Sequence, residues 1–181
     1  IASSPSLAAK EQKIDLCIKL VEGGYVSNWF FGLKEGDVIH TSIPYGVFTI
    51  REPWQENLIF VGTGTGIAPL RGMIQNLYEK NCAKQIWLIF GNRYETDILY
   101  LDEWWEFKKK RKNFHFIPTV SRPKNWTGET AYVQEVVKKT FAGKTEGFGV
   151  RDDLGPQRGI AKKPLALWER KFHDQKIPLL L

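Results

Sequence analysis

The chain has 181 residues, a formal net charge of +6, seven tryptophans and 43% apolar residues, enough to bury a core in one domain or two small ones. That composition excludes a disordered or fibrous polypeptide, and no apolar run nears the ~20 residues that span a bilayer. Two cysteines, Cys17 and Cys82, are too few and too far apart for a disulfide framework, a metal site or an iron–sulfur centre, so a reducing, cytoplasmic setting is expected.

The chain begins Ile1-Ala2-Ser3-Ser4-Pro5, with no charged-then-apolar leader, so no secretion signal is expected. Residues 1 to about 52 read as all-β. Ile14–Leu20, Val38–Ile43 and Val47–Ile50 are short strand candidates, punctuated by Gly23-Gly24, Gly36, Pro44 and Gly46. A linker, Arg51-Glu52-Pro53-Trp54-Gln55-Glu56, follows. The next zone alternates strand and helix: Leu58–Val61, Ile67–Lys80, Gln85–Phe90, a helix around Leu101–Lys110, then Phe114–Val120 and Tyr132–Lys139. That β-α-β-α-β-α order implies a parallel, doubly wound sheet. Phe141 to Leu181 holds five glycines and three prolines and has no sustained period.

The richest motif is Gly62-Thr63-Gly64-Thr65-Gly66 between the apolar strand at Leu58–Val61 and a helical pattern from Ile67. A strand, a glycine turn and a helix start present backbone N–H groups and a positive dipole end to a diphosphate. The basic run Lys108–Lys112 closes a helix, where cations suit the dipole, so the net charge is read as steering toward an acidic partner or a phosphate-bearing cofactor, not as a nucleic-acid face. His40, His115 and His173 show no ligand or triad spacing, and no catalytic acid–base set or metal site is assigned.

Taken together these segments resemble the ferredoxin–NADP reductase superfamily, from Ile1 to about Lys139. The resemblance implies an α+β two-domain fold. A partial antiparallel flavin-binding β-barrel (1–52) precedes a doubly wound parallel α/β nucleotide-binding domain (57–140). An atypical tail, frame-shifted or poorly ordered, covers 141–181. The opening pentapeptide looks like the continuation of the family's Arg-x-Tyr-Ser flavin motif. Leu16-Cys17-Ile18-Lys19 resembles the strand beside the adenosine diphosphate of FAD, with Lys19 placed to meet a phosphate. Gly23-Gly24-Tyr25-Val26-Ser27-Asn28-Trp29 is similar to the family's diphosphate loop, where amides at a helix start and the Ser27 hydroxyl hold the flavin diphosphate. Gly36-Asp37 and Pro44-Tyr45-Gly46-Val47-Phe48 match a turn and the closing barrel strand.

In the second domain the resemblance puts Gly64, Thr65 and Gly66 at the cofactor diphosphate. It puts Gly91-Asn92-Arg93 at the carboxyl end of the second strand, with Asp97 and Tyr100 capping and packing the next helix. Ser121-Arg122 matches the pair that holds a 2′-phosphate, and Tyr132-Val133-Gln134 the place where a Tyr stacks on adenine and a Gln helps hold the ribose phosphate. Arg93 and Lys124 add charge nearby. NADP(H) is thereby favoured over NAD(H), although Pro123 departs from the plant-type pattern. Phe141-Ala142-Gly143 stands where the family has Cys-Gly, and its codons read one frame over can encode that pair.

A complete relative transfers hydride between nicotinamide and flavin, then passes single electrons to a protein partner. The expected activity is therefore a flavin-dependent NAD(P)H oxidoreductase that serves an acidic carrier such as ferredoxin or flavodoxin. Neither nucleic acid nor a membrane is expected as partner. The reductase component of an oxygenase and a nucleotide-binding module without turnover are the alternatives.

Overall fold

The computed structural model describes residues 1–42, 46–50, 53 and 57–142. Ile43 at the end of an expected strand, Pro44-Tyr45, all of the linker but Pro53, and the tail from Gly143 onward, His173 included, lie outside the described residues.

The α/β half follows the sequence pattern closely. Strands β1 (Leu58–Thr63), β2 (Ile86–Asn92) and β3 (Phe114–Val120) form a parallel sheet in that order. Its register pairs Leu58 with Ile86 and Ile86 with Phe114. The crossovers carry α3 (Ile67–Glu79) and α4 (Leu101–Lys110), and α5 (Val133–Phe141) follows β3. Helices α1 (Pro5–Glu11) and α2 (Tyr25–Gly32) precede the sheet. The strands are apolar on both faces because both faces are covered. Phe60, Leu88, Phe90 and Phe116 pack with Ile67, Leu70, Ile74 and Leu77 of α3 and with fully buried Trp104 of α4. Alternation along β2 sends Trp87 and Gly91 to the opposite face. There the Trp87 ring meets Phe141 at 5.6 Å and Gly91 lies against Val133, so α5 covers the second face and the sheet is doubly wound.

Helix α5 therefore runs two residues beyond its expected end, because Phe141 is anchored on Trp87. The basic run behaves as read from the sequence. Lys108, Lys109 and Lys110 occupy the last turn of α4, opposite Asp102 and Glu103 in its first turn.

The first fifty residues differ from the all-β expectation. Among the described ones there are two helices, α1 (Pro5–Glu11) and α2 (Tyr25–Gly32), and no strand. Ile14–Leu20 makes one backbone bond to another segment, Ala2 N to Asp15 O at 2.7 Å, and neither it nor Val47–Ile50 forms a ladder among the described residues, without which an extended stretch is not a strand. Helix α1 arises from a start signal that the β reading passed over. Ser4 caps it by accepting from Leu7 N at 3.2 Å, and Pro5 takes the first helical position, where its fixed φ suits the helix. The Gly36-Asp37 turn is present: Gly36 has φ +94°, Asp37 N donates to Lys34 O, and Lys34 N donates to the Asp37 carboxylate at 2.7 Å.

Candidate functional site: two helix starts and a sheet edge

Three strands end at one edge of the sheet, and the loops beyond them are tied to one another. After β1 the chain makes a short 3-10 turn, Gly64–Gly66, and enters α3 with Gly66 as N-cap. Gly64 sits at φ +50°, a left-handed conformation that costs an L side chain about 1–2 kcal/mol, and the space where its Cβ would stand is open. The first turn of α3 carries no acidic side chain to compete for its amides. Gly62 is glycine for a different reason: a Cβ there would meet Leu70 Cδ1 at 2.8 Å.

At the ends of β2 and β3, Ser121 N donates to Asn92 O at 3.0 Å and Arg122 N to Arg93 O at 2.8 Å. These bonds set Arg93 and Arg122, both exposed, side by side. The Glu95 carboxylate accepts from Lys124 N and Asn125 N at 3.3 and 2.6 Å, and the Lys124 ammonium lies 5.5 Å from the Tyr94 ring centre. The loop then folds back along β3. Val120 N donates to Glu129 O, the Thr119 hydroxyl to Ala131 O, and the Trp126 indole to Glu129 O. This return fixes Tyr132 as the N-cap of α5, with its ring exposed, and Gln134 in the first turn. Neighbouring strands lie about 4.8 Å apart, so β1 and β3 are about 10 Å apart, a reach suited to the adenosine half of a dinucleotide. The structure thus gathers Gly64, Thr65, Gly66, Arg93, Ser121, Arg122, Lys124, Tyr132 and Gln134 at one edge. Asp97 is not a cap of α4. Its carboxylate accepts from Tyr94 N and closes the 3-10 turn Glu95–Asp97, while Tyr100, at φ +57°, is the N-cap residue of α4.

The sequence reading missed three contributors. Glu95 and Glu129 build the loop. Asn92 is nine-tenths buried, and neither its side-chain nitrogen nor its oxygen has a partner among the described residues. A polar residue that closes an apolar strand was the signal available for Asn92.

The second cluster is separate. Gly24 is the N-cap of α2, and a Cβ on it would meet Ser27 Oγ at 2.9 Å. Ser27 is buried, and its hydroxyl accepts from Val21 N at 3.1 Å, so it braces the turn from inside. Tyr25 and Val26 are exposed at the helix start, and no acidic side chain stands in its first turn. Lys19 is exposed and makes no hydrogen bond or ion pair among the described residues. Cys17 and Ile18 are half-buried. Cys17 packs beside Tyr100 of the other half; burial pushes its thiol pKa up, and burial likewise raises Tyr100 to about 12.

Two helix starts free of competing carboxylates, an open left-handed glycine and an orphaned amide beside the glycine turn fit diphosphate-bearing cofactors. Such an arrangement is that of the class of folds that bind dinucleotides across the carboxyl edge of a parallel sheet. Residues 60–150 match the oxidoreductase NAD-binding domain and residues 3–50 the oxidoreductase FAD-binding domain. The chain belongs to the ferredoxin–NADP reductase superfamily. It is 34% identical over 143 residues to ferredoxin–NADP reductase B of Sorangium cellulosum, covering 78% of this chain and 57% of that protein. It is 28% identical over 151 residues to the reductase component DmpP of phenol 2-monooxygenase from Pseudomonas, with 81% and 42% covered. Among solved structures it resembles the ferredoxin–NADP+ reductase of Plasmodium falciparum with 2′P-AMP. The TM-score is 0.55 at 30% identity, over 65% of this chain and 49% of that one. The chain spans about half the length of the curated relatives it matches.

No helix of the described residues is long and apolar enough to cross a membrane, and no group of metal-binding side chains occurs among them.

Proposed function

We propose that the chain is the cofactor-binding part of a flavin-dependent NADP(H) oxidoreductase that passes electrons to an acidic carrier of the ferredoxin or flavodoxin type. On this reading residues 1–52 belong to the FAD side and 57–140 to the NADP side. The observation that carries it is the backbone bond between Arg122 N and Arg93 O, which sets two guanidinium-bearing residues beside Ser121 and Lys124 at the end of β3. That donor set suits a dianionic 2′-phosphate. The 2′P-AMP in the Plasmodium structure is a ligand of this kind. Tyr132 offers an exposed ring at the start of α5 for stacking on adenine, and Gln134 a donor in its first turn. Gly64, Thr65 and Gly66 approach the dinucleotide diphosphate. Gly24, Tyr25 and Val26 hold the flavin diphosphate by backbone amides, with Cys17, Ile18 and Lys19 alongside and Ser27 bracing the turn. Bound FAD supplies the step between a two-electron hydride donor and a one-electron acceptor. The protein orients and holds. The net charge of +6 supports an acidic partner, and two free thiols support a reducing compartment such as the cytoplasm.

The test is calorimetric titration with 2′-phospho-AMP and with AMP. The chain should bind the former at least tenfold more tightly. Arg122→Ala should weaken 2′-phospho-AMP about 10- to 100-fold, the loss of one charge-assisted bond, and leave AMP nearly unchanged. Equal affinity for the two nucleotides would overturn the NADP assignment. The DmpP relative favours a second reading, the reductase component of an oxygenase. It differs in the electron acceptor and predicts that the reduced flavin passes its electrons to an iron–sulfur module on another segment or chain, faster than to added ferredoxin or flavodoxin.

A further inference from the structure

One stripe of α3 is polar where a buried helix face would ordinarily be apolar, and every residue of it reaches the N-terminal segment or α4. Arg71 lies one turn into the helix that begins at the glycine turn, and its side chain is only 12% exposed. Its Nη1 donates to Ala2 O at 2.9 Å and to the Asp15 carboxylate at 3.0 Å. Its Nε donates to both Glu103 oxygens, at 3.0 and 2.8 Å. The guanidinium also stacks on Tyr100, 4.5 Å from the ring centre. One turn on, Gln75 donates to Glu103 and accepts from Ser4 N, both at 3.0 Å. Between them Gly72 allows the chain to pass: a Cβ there would stand 2.8 Å from Ser3 O.

Residues 3–50 are the part that matches an FAD-binding domain, and α3 starts at the turn assigned to the dinucleotide. Arg71 and Gln75 therefore both bond to the flavin-side segment and to Glu103 of α4 at once, and of the two Arg71 carries the charge, with bonds to Ala2 O, the Asp15 carboxylate and both Glu103 oxygens. Such a bond set is costly to bury and gains little in stability over an apolar contact. Its five-donor planar fork fixes direction, which a hydrophobic contact does not. We propose that Arg71 is a positioning residue: it sets the flavin-side segment against the dinucleotide turn and so fixes the separation over which hydride passes. With both cofactors bound, hydride would pass with its electron pair from the reduced nicotinamide to the flavin, oxidising the first and reducing the second, and a misplacement of about 1 Å would cost on the order of a hundredfold in rate.

This inference rests on the flavin and NADP reading above, and its test separates the two. Full-length wild type, Arg71→Met, Arg71→Lys and Asp15→Asn are loaded with FAD and mixed anaerobically with NADPH. Hydrogen exchange and 2′-phospho-AMP affinity are measured on the same samples. In Arg71→Met the expected result is flavin bleaching slowed about 10- to 100-fold. Exchange across residues 2–17 should rise at least tenfold, the β2 and β3 amides should stay protected, and nucleotide affinity should stay within about twofold. Arg71→Lys, which keeps the charge and loses the fork, should be intermediate. Asp15→Asn removes only the flavin-side anion and leaves the α/β core intact, so it keeps the test readable should Arg71→Met not fold. Bleaching as fast as wild type in the Arg71 variants that fold, or in Asp15→Asn with residues 2–17 loosened, overturns the positioning role. A wild-type chain that takes up no FAD overturns the flavin reading, and the positioning role with it.

Discussion

At Gly91, in the middle of the parallel sheet's carboxyl end, an added Cβ would lie 2.5 Å from Val133 Cγ1 and 3.2 Å from Thr63 Cγ2. Neither neighbour is the far end of a long side chain, so α5 or β1 must shift. Gly91→Ala should cost about 1–3 kcal/mol, as overpacking does, and weaken nucleotide binding by moving the start of α5. Urea denaturation and 2′-phospho-AMP titration check both parts; a variant as stable as wild type would mean that α5 yields freely. Two carboxylates nearby are held below the ordinary range. The side-chain bond from Lys139 is the largest cause for Glu129, followed by the Ala131 amide; for Glu95 it is its own amide, then those of Asn125 and Lys124. A depressed folded value means that the unfolded chain binds protons more readily. The loop therefore draws its full support above about pH 4.3 and loses it as pH falls through the lower folded values. NMR shifts of the Lys124 and Asn125 amides and the Trp126 indole N–H should titrate together in that acid window. Glu95→Gln and Glu129→Gln should each remove their share, and flat shifts would show that the loop does not depend on them.

Helix α1 shows how an element depends on its ends. Seven residues cannot sustain a helix in water alone, so α1 persists through its cap and its contact with α3. Ser4 serves both: its hydroxyl accepts from Leu7 N and donates to Glu79 Oε1 at 2.6 Å, with Ser6 bonded to the same carboxylate. Ser4→Ala should cost about 1–2 kcal/mol and release residues 2–11 to faster hydrogen exchange, while Ser4→Asp, a good cap facing Glu79, should restore the cap and not the contact. Helix α3 is the opposite case. Of its expected seam, Ile67, Leu70, Met73, Ile74 and Leu77 at spacings of three and four, all but the half-buried Met73 are buried, and the contacts of the helix also bury Ala68, Gly72, Gln75 and Tyr78.

Across the whole molecule, the two halves differ in what closes them. The α/β half is sealed by an aromatic cluster in which Trp104 lies 6.0–6.2 Å from Phe107, Phe114 and Phe116, its indole N–H satisfied by Leu99 O. Trp104→Ala should cost about 3–5 kcal/mol, a large part of the ~5–15 kcal/mol typical of a domain, and bring the urea midpoint down in one cooperative transition. A loss under about 1 kcal/mol would mean that the site collapses around the smaller side chain. The first half instead leaves Val38, Val47 and Tyr25 more than three-quarters exposed, and it is joined to the second through the polar stripe of α3.

The sequence by itself determined the parallel α/β unit, because its signals are local. Apolar runs at Leu58–Val61 and Phe114–Val120, the 3.6 period from Ile67 and the glycine turn between them each act within one element and its neighbour. The place of the candidate residues at the ends of β1, β2 and β3 was legible for the same reason, since a parallel sheet collects its strand ends at one edge, while the roles proposed for Ser121, Arg122, Tyr132 and Gln134 come from the family resemblance. Only the tertiary structure decided the rest. Strand candidates such as Ile14–Leu20 depend on partners distant in sequence, and no local pattern says whether a ladder forms. Ser27 turned inward, Asn92 left without a partner among the described residues and Arg71 placed between Ala2, Asp15 and Glu103 are all outcomes of burial, where distant residues set what each polar group meets.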